Sequence, residues 1–153
     1  MLRNIIGSEN VTEIYKVAAE VKRGAVVVKD ASLKVANKAD GEGVDIWLVD
    51  VDNQPTGHLS DVEISQYDPS LDTVQANSLA VLKKYPVGAQ IATDQVSGDF
   101  VVGEYAIAGT GASAGLLVPA VATNVSTLKF IGDFVDGDKV LKQFEVVLPH
   151  TVA

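Results

Sequence analysis

The sequence predicts an all-β fold, a single compact β-barrel or sandwich of short, mostly antiparallel strands. Short apolar segments alternate with Gly, Asp and Pro turns at a spacing of roughly 8–12 residues, which is typical of barrels and sandwiches. Hydrophobic residues make up 47% of the chain and aromatic residues only 6%; the abundant valines pack well on pleated sheets. The 153 residues contain no repeat and no linker. One domain of about nine to eleven strands is therefore expected.

The first ten residues, MLRNIIGSEN, show no clear period, and chain ends are commonly loose unless they are docked. We expect a short N-terminal arm over residues 1–10, followed by a single β-rich domain over residues 11–153. A frayed terminus is the simpler interpretation of the arm. In the alternative, three apolar side chains anchor the arm on a neighbouring subunit, and the candidate interface residues are then Leu2, Ile5 and Ile6.

The segment Glu13–Val21 fits two patterns. On a helix, Asn10 and Glu13 have the spacing of a capping box. One helical face then carries Ile14, Tyr15, Ala18 and Val21. On a strand, alternate positions share a face, which carries Tyr15, Val17, Ala19 and Val21. We favour the strand, and residues 22–30 have the pattern of a turn followed by a further strand.

The strongest strand signal is Val44–Asp52, which follows a short strand at Val35 and a turn at Asp40–Gly41. Its alternate positions are apolar on both sides, with Ile46 and Leu48 on one face and Trp47, Val49 and Val51 on the other. Such a strand is expected to be buried on both faces, so Trp47 is assigned to the core. A turn at residues 53–57 and an edge strand carrying Val62 and Ile64 are predicted to follow.

The next segments also predict strands. Leu79–Tyr85 fits a strand better than a helix because it is short and Pro86-Val-Gly88 stops it. Around Ile91 a short extended run follows, the chain turns at Gly98–Asp99, and residues 100–108 are predicted to run back as a second strand. Residues 116–119 are predicted to be extended.

A C-terminal hairpin completes the predicted fold. Leu128, Phe130 and Phe134 share a face of its first strand. Residues 136–138, Asp-Gly-Asp, have turn chemistry. The return strand, residues 140–148, carries Phe144, Val146 and Leu148 on one face.

The charge balance narrows the class of partner. Twelve basic and 20 acidic residues give a net charge of −8, which opposes binding to a nucleic acid backbone and to anionic membranes. The chain contains no cysteine, so disulfides and thiolate chemistry are absent. Its first residues lack the apolar core of a signal peptide, and no apolar run approaches the ~20 residues of a membrane helix. We expect no nucleic acid contact and no membrane contact.

No stretch has the pattern of an active site. The loop Gly109–Gly115 fails the dinucleotide fingerprint, because Ala114 stands at its sixth position and no helix follows. The two histidines, His58 and His150, are expected to be solvated surface residues. Carboxylates cluster at three places, where turn capping explains most of them: Asp50 with Asp52, Asp94 with Asp99, and Asp133 with Asp136 and Asp138. We therefore expect no catalytic residue, no cofactor and no metal.

Four motifs in order carry a family resemblance. They are VKRGAVVV at residues 21–28, DVDNQPTG at residues 50–57, YPVG with ATDQ at residues 85–95, and FIGDFVDGD with FEVV at residues 130–147. Together they resemble the head decoration proteins, or capsid cement proteins, of tailed bacteriophages. The similarity covers most of the chain, and its motifs are Gly and Asp turns between apolar strands.

This resemblance implies a non-enzymatic virion protein that is made in the host cytoplasm and binds the exterior of the assembled capsid. There it would clamp neighbouring major capsid subunits, so the expected partners are the major capsid protein and further copies of this chain, as a homotrimer. Leu2, Ile5 and Ile6 are then candidate anchors on the shell or on a neighbour. A tail-tube or head-fibre base protein is the alternative virion role, and a small β-barrel enzyme or ligand-binding domain is the alternative from another class.

Overall fold

The computed structural model describes residues 1–7, 9–50 and 72–153, and all structural statements here concern these ranges. The turn at residues 53–57, His58 and the strand around Val62 and Ile64 lie outside the described residues. One turn of 3-10 helix spans Gly111–Ser113. The strands are β1 (Leu2–Ile6), β2 (Val11–Val17), β3 (Val21–Lys22), β4 (Val26–Asp30), β5 (Val35–Lys38), β6 (Trp47–Asp50), β7 (Thr73–Val74), β8 (Leu79–Lys84), β9 (Gln90–Thr93), β10 (Tyr105–Ala108), β11 (Leu117–Pro119), β12 (Val125–Asp136) and β13 (Lys139–Thr151).

Five of these strands close a small barrel in the order β2-β5-β4-β6-β8. All of its pairings are antiparallel except the parallel pair β2–β5. Closure removes the exposed edges that an open sheet would leave. The barrel core is rich in Val and Ala, as the composition predicts, and its largest buried side chains include Tyr15, Trp47 and Leu82.

Six strands form an antiparallel sheet in the order β1-β9-β13-β12-β10-β11. A second core lies on one face of this sheet and holds an aromatic group, Phe100, Phe130 and Phe144, with ring centroids 5.3 to 5.6 Å apart. The prediction of an all-β barrel or sandwich with mostly antiparallel strands is confirmed. No helix in the described ranges is long and apolar enough to cross a bilayer.

Strands β4 and β6 belong to both cores. In β6, Leu48 contributes to the core beside the sheet, while Trp47 and Val49 contribute to the barrel core. In β4, Val26 and Val27 divide in the same way. The predicted burial on both faces is confirmed for β6, the middle of the predicted strand Val44–Asp52, and so is the assignment of Trp47 to the core. Val51 and Asp52 lie outside the described residues.

Of the two segments with ambiguous periodicity, Leu79–Tyr85 is a strand over Leu79–Lys84, and Glu13–Val21 is a strand up to Val17 and again from Val21, with a bend at residues 18–19 between them. β2 pairs with β8 from Val11 opposite Lys84 to Lys16 opposite Leu79. Tyr15 and Val17 point into the barrel, as the strand alternation predicts. The tertiary pairing of these two strands decides what the local pattern left open.

The prediction of an N-terminal arm is wrong for residues 2–6, which form β1 and pair with β9 at the edge of the sheet. Leu2 is 3% exposed and belongs to the core beside the sheet, so it is not available as a surface anchor. Arg3 fixes the strand further through an ion pair with Asp136 at 2.5 Å. The segment is ordered because backbone pairing and the burial of Leu2 hold it.

The predicted strand–turn–strand over Tyr85–Ala108 is also corrected. β9 and β10 are not neighbours, since β13 and β12 lie between them in the sheet. The strand predicted from Phe100 begins only at Tyr105. Gly103, at φ +100°, forces the preceding residues into a turn, because extended strand backbone has negative φ.

The C-terminal hairpin is confirmed. β12 and β13 pair from Val125 opposite Thr151 to Asp136 opposite Lys139, with two irregularities of register. Gly137 has φ +63° at the first position of the two-residue loop, which is the requirement of a type II′ turn. Phe144 and Val146 are buried as predicted, whereas Leu148 is exposed.

Candidate functional site: two interaction surfaces

The first candidate surface is the outward face of β2 and β8. Because Tyr15, Val17, Ala80 and Leu82 fill the barrel, the alternate positions point outward. We call these six residues the barrel wall: Thr12, Ile14, Lys16, Leu79, Val81 and Lys83. Ile14 lies directly opposite Val81, and Leu79 lies opposite Lys16. Ile14 and Leu79 are 65% and 71% exposed, so large apolar side chains meet solvent in the middle of an ordered sheet.

The barrel wall carries two lysines and no carboxylate. Lys83 is neutralised by Asp50 at 2.5 Å, and Asp50 also binds Arg23 at 2.6 Å. Lys16 is exposed and forms no ion pair with any described residue. The barrel wall is therefore an apolar surface with a positive charge beside it.

The second candidate surface is the valine turn, which we define as residues 99–104. Val101 and Val102 are 67% and 68% exposed at its tip. The Glu104 amide donates to the Val101 carbonyl at 3.0 Å, and the Val101 amide donates to Glu104 Oε2 at 2.8 Å. Gly103 has the positive φ that the third position of a type II turn requires. The hydrogen bonds fix the two valines in place.

The valine turn is also anchored to the core from below. The Phe100 ring lies 5.4 Å from Phe130 and 5.3 Å from Phe144, centroid to centroid. The Gly103 amide donates to the Phe130 carbonyl at 2.8 Å. Asp99 and Glu104 are the only charged residues between positions 95 and 105. The turn thus presents apolar side chains with negative charges beside them.

The three residues predicted as interface anchors differ in their exposure to solvent. Leu2 is buried, Ile5 is half-buried, and Ile6 is 52% exposed on the edge strand β1. The apolar residues of the barrel wall and the valine turn were not predicted. The exposure of Ile14 could have been predicted, because strand alternation separates it from Tyr15 and Val17 and places it on the same face as Thr12 and Lys16. The exposure of Val101 and Val102 could not have been predicted in this way, because the local pattern predicted a strand there.

The described residues contain no group of three His, Cys, Asp or Glu that could hold a metal ion. Ion pairs occupy two members of the C-terminal carboxylate cluster, Asp133 with Lys142 at 2.7 Å and Asp136 with Arg3. The Gly109–Gly115 loop contains the 3-10 turn Gly111–Ser113. His150 stacks on the Tyr105 ring at 4.5 Å. These arrangements satisfy charge and packing, and none of them pairs a nucleophile with a base.

Two titratable groups in the described ranges have a shifted pKa. Burial raises the pKa of Tyr85 from 10.0 to about 12, the Asp50 carboxylate adds to the rise, and Arg23 opposes it. Burial alone would raise the pKa of Asp94, but hydrogen bonds from the Gln95 side chain and the N-terminal ammonium outweigh it and hold that pKa below 3.8. Asp94 accepts from the ammonium at 2.5 Å. Tyr85 is buried in the core beside the sheet, and Asp94 is held by the N-terminal ammonium.

An ion pair between Lys29 and Glu13 lies beside the ring of Trp47 in the barrel. Lys29 Nζ lies 3.7 Å from the centroid of the Trp47 ring and donates to both Glu13 oxygens at 2.9 and 3.0 Å. Trp47 Nε1 is buried without a hydrogen-bond partner among the described groups.

A separate open cavity of about 250 Å³ lies between β3 and the 3-10 turn. Its polar lining residues are Glu20, Lys22, Lys38 and Gln95.

Comparison with known proteins supports the fold. No family model and no curated protein matches the chain. A solved structure does, the head fiber gp8.5 N base of bacteriophage phi29, with a TM-score of 0.50 and 12% sequence identity. The match covers 93% of this chain and 100% of that chain. The chain therefore has a fold similar to that of a phage head-fiber base.

Proposed function

We propose that this chain is a structural virion protein that binds the exterior of an assembled phage capsid. The observation that carries the proposal is the similarity of fold to a head-fiber base over nearly the whole chain. The order of sequence motifs, which resembles capsid decoration proteins, supports the same site of action. In this proposal the chain is not an enzyme, its partners are the major capsid protein and further copies of itself as a homotrimer, and it contacts neither nucleic acid nor membrane.

Two exterior roles follow. As a cement protein, the chain clamps neighbouring major capsid subunits against internal pressure. As a fiber base, it attaches a further protein to the shell, and the similarity to the phi29 base favours this second candidate. In either role the exposed apolar side chains of the barrel wall or the valine turn supply contact area with the shell or with a second copy, because contiguous exposed apolar side chains mark interaction sites.

Co-sedimentation with undecorated, expanded capsid shells tests the proposal. We expect saturable, stoichiometric binding by the natural chain. Ile14→Lys and Leu79→Lys should weaken binding if the barrel wall faces the shell, whereas Val140→Lys, at an exposed position of the C-terminal hairpin, is the matched control. Absence of saturable binding by the natural chain would contradict the proposal.

Shell stability separates the two roles. A cement protein should raise the temperature at which shells disrupt, since it binds only the assembled state. A fiber base should bind without a comparable rise. Light scattering on the free protein addresses the tail-tube alternative, because a discrete trimer fits a head protein and hexameric rings or open polymers fit a tube.

A further inference from the structure

We propose that the valine turn of one copy docks on the barrel wall of a second copy and so builds the oligomer. This inference rests on the self-association included in the proposed function, and it names the two surfaces that meet. The chain contributes both surfaces. The contact is therefore head-to-tail, and it forms a ring where the rotation between copies closes.

Both surfaces expose aliphatic side chains, one set on a flat sheet face and the other on a protruding turn. Ile14 and Leu79 form a flat cross-strand patch with Val81 between them in register. Val101 and Val102 protrude from a turn, and all four of the large exposed side chains are more than half exposed. Docking a protruding turn on a flat sheet face removes these apolar side chains from water together.

Charge selects a second copy as the occupant. With a net charge of −8, two copies repel at long range, so a stable self-contact needs local charges of opposite sign. The barrel wall supplies Lys16, and the valine turn supplies Asp99 and Glu104, all exposed. The nearest lysine across the strand pairing is Lys129. It lies opposite Tyr105, which follows the valine turn.

The valine turn is ready to dock without reordering. Glu104 and Gly103 fix its backbone, and Phe100 fixes it to the core. A preformed element loses little conformational entropy on binding. The barrel wall is equally fixed, because β2 and β8 are paired along their lengths.

A charge exchange measured by light scattering at low ionic strength tests the contact. The variants are Lys16→Glu, Asp99→Lys and the double variant that carries both. Each single change places like charges in the contact and should raise the dissociation constant of the oligomer about tenfold. The double variant restores opposite charges and should return to within about threefold of the natural chain. Controls with the same charge changes at exposed positions, Lys139→Glu and Asp138→Lys, should have no effect.

Circular dichroism and Trp47 fluorescence verify that every variant is folded. A monomeric natural chain, single variants with unchanged mass, or a double variant that is worse than either single would each overturn the inference. If Lys16→Glu abolishes shell binding while the oligomer stays intact, the barrel wall belongs to the capsid contact and the inference fails. Shell binding by a monomeric natural chain would overturn this inference and leave the proposed capsid attachment standing.

Discussion

Phe144 is the largest fully buried side chain among the described residues, and it belongs to the core beside the sheet. It is fully buried, and its ring contacts those of Phe100 and Phe130. In a chain with few aromatic residues, this one ring fills volume that no neighbouring valine or alanine could fill. Truncation leaves a cavity, because close-packed surroundings relax only in part.

Phe144→Ala should lower the free energy of unfolding by about 3–5 kcal/mol, which is the usual cost of lost burial plus the cavity. Urea unfolding followed by Trp47 fluorescence measures it. Val140→Ala in the same strand is the control. Val140 is 59% exposed, so its change should stay within about 0.5 kcal/mol. Equal effects would show that the aromatic group is not the centre of this core.

Tyr85 makes stability depend on alkaline pH. Its pKa is about 12 in the fold and 10.0 ordinarily, so the folded state holds the phenol proton more tightly than the unfolded state. This stabilisation is complete below pH 10 and is lost as pH rises from 10 to 12, up to about 3 kcal/mol in total. Tyr85→Phe should remove that part of the loss. Unfolding free energies measured for both proteins across this range would refute the assignment if the two profiles ran parallel.

At the scale of elements, two glycines explain how connections fit against strands. A Cβ on Gly43 would lie 2.0 Å from the Val125 carbonyl oxygen and 2.5 Å from an Ile107 methyl carbon. A Cβ on Gly103 would meet no atom within 4 Å, but that residue has φ +100°. Glycine is thus needed at position 43 because the chain passes close to β12, and at position 103 because the backbone there has a positive φ.

These two causes predict different costs. Gly103→Ala should lower the free energy of unfolding by about 1–2 kcal/mol, the cost of a left-handed conformation for a residue with a side chain. Gly43→Ala should cost about 3 kcal/mol or more, because backbone atoms have to move apart. Thermal and urea unfolding of the two variants would contradict this account if Gly103→Ala were the more damaging change.

The elements that local pattern predicted well are those whose partners are close in sequence. The hairpin of β12 and β13 has its turn chemistry and both strands in one segment. β6 is apolar on alternate positions of both faces, so its double burial was visible. β1 was not predicted as a strand, and the pairing of β9 was predicted wrongly, because the strands beside them come from distant parts of the chain.

The candidate surfaces were harder to predict for a related reason. Leu79 and Val81 alternate with Ala80 and Leu82, so both faces of β8 are apolar and the sequence does not say which one faces solvent. Barrel closure through the β2–β8 pairing decides it. The valine turn depends on Gly103 and on the packing of Phe100 against distant phenylalanines, and neither effect appears in strand periodicity.

At the scale of the whole molecule, β4 and β6 join the two layers by contributing to both cores. Loss of either layer uncovers apolar side chains of the other. We therefore expect one cooperative unfolding transition, with barrel and sheet equally stable. Trp47 fluorescence reports the barrel core, and amide hydrogen exchange along β12 and β13 reports the sheet. Two separate transitions, or clearly different free energies from the two probes, would contradict this expectation.

The shared strands also bear on how the protein is made. The barrel strands lie between Val11 and Lys84, but the side chains that cover the outside of β4 and β6 include Phe144 and Val146 of β13. While the ribosome is still synthesising the hairpin, the core of Val26 and Leu48 lacks Leu128, Phe130, Phe144 and Val146, so we expect the nascent barrel to be incompletely packed. Ribosome-bound chains that stop before β12 should stay sensitive to protease, and the completed chain should become resistant only after the hairpin has emerged.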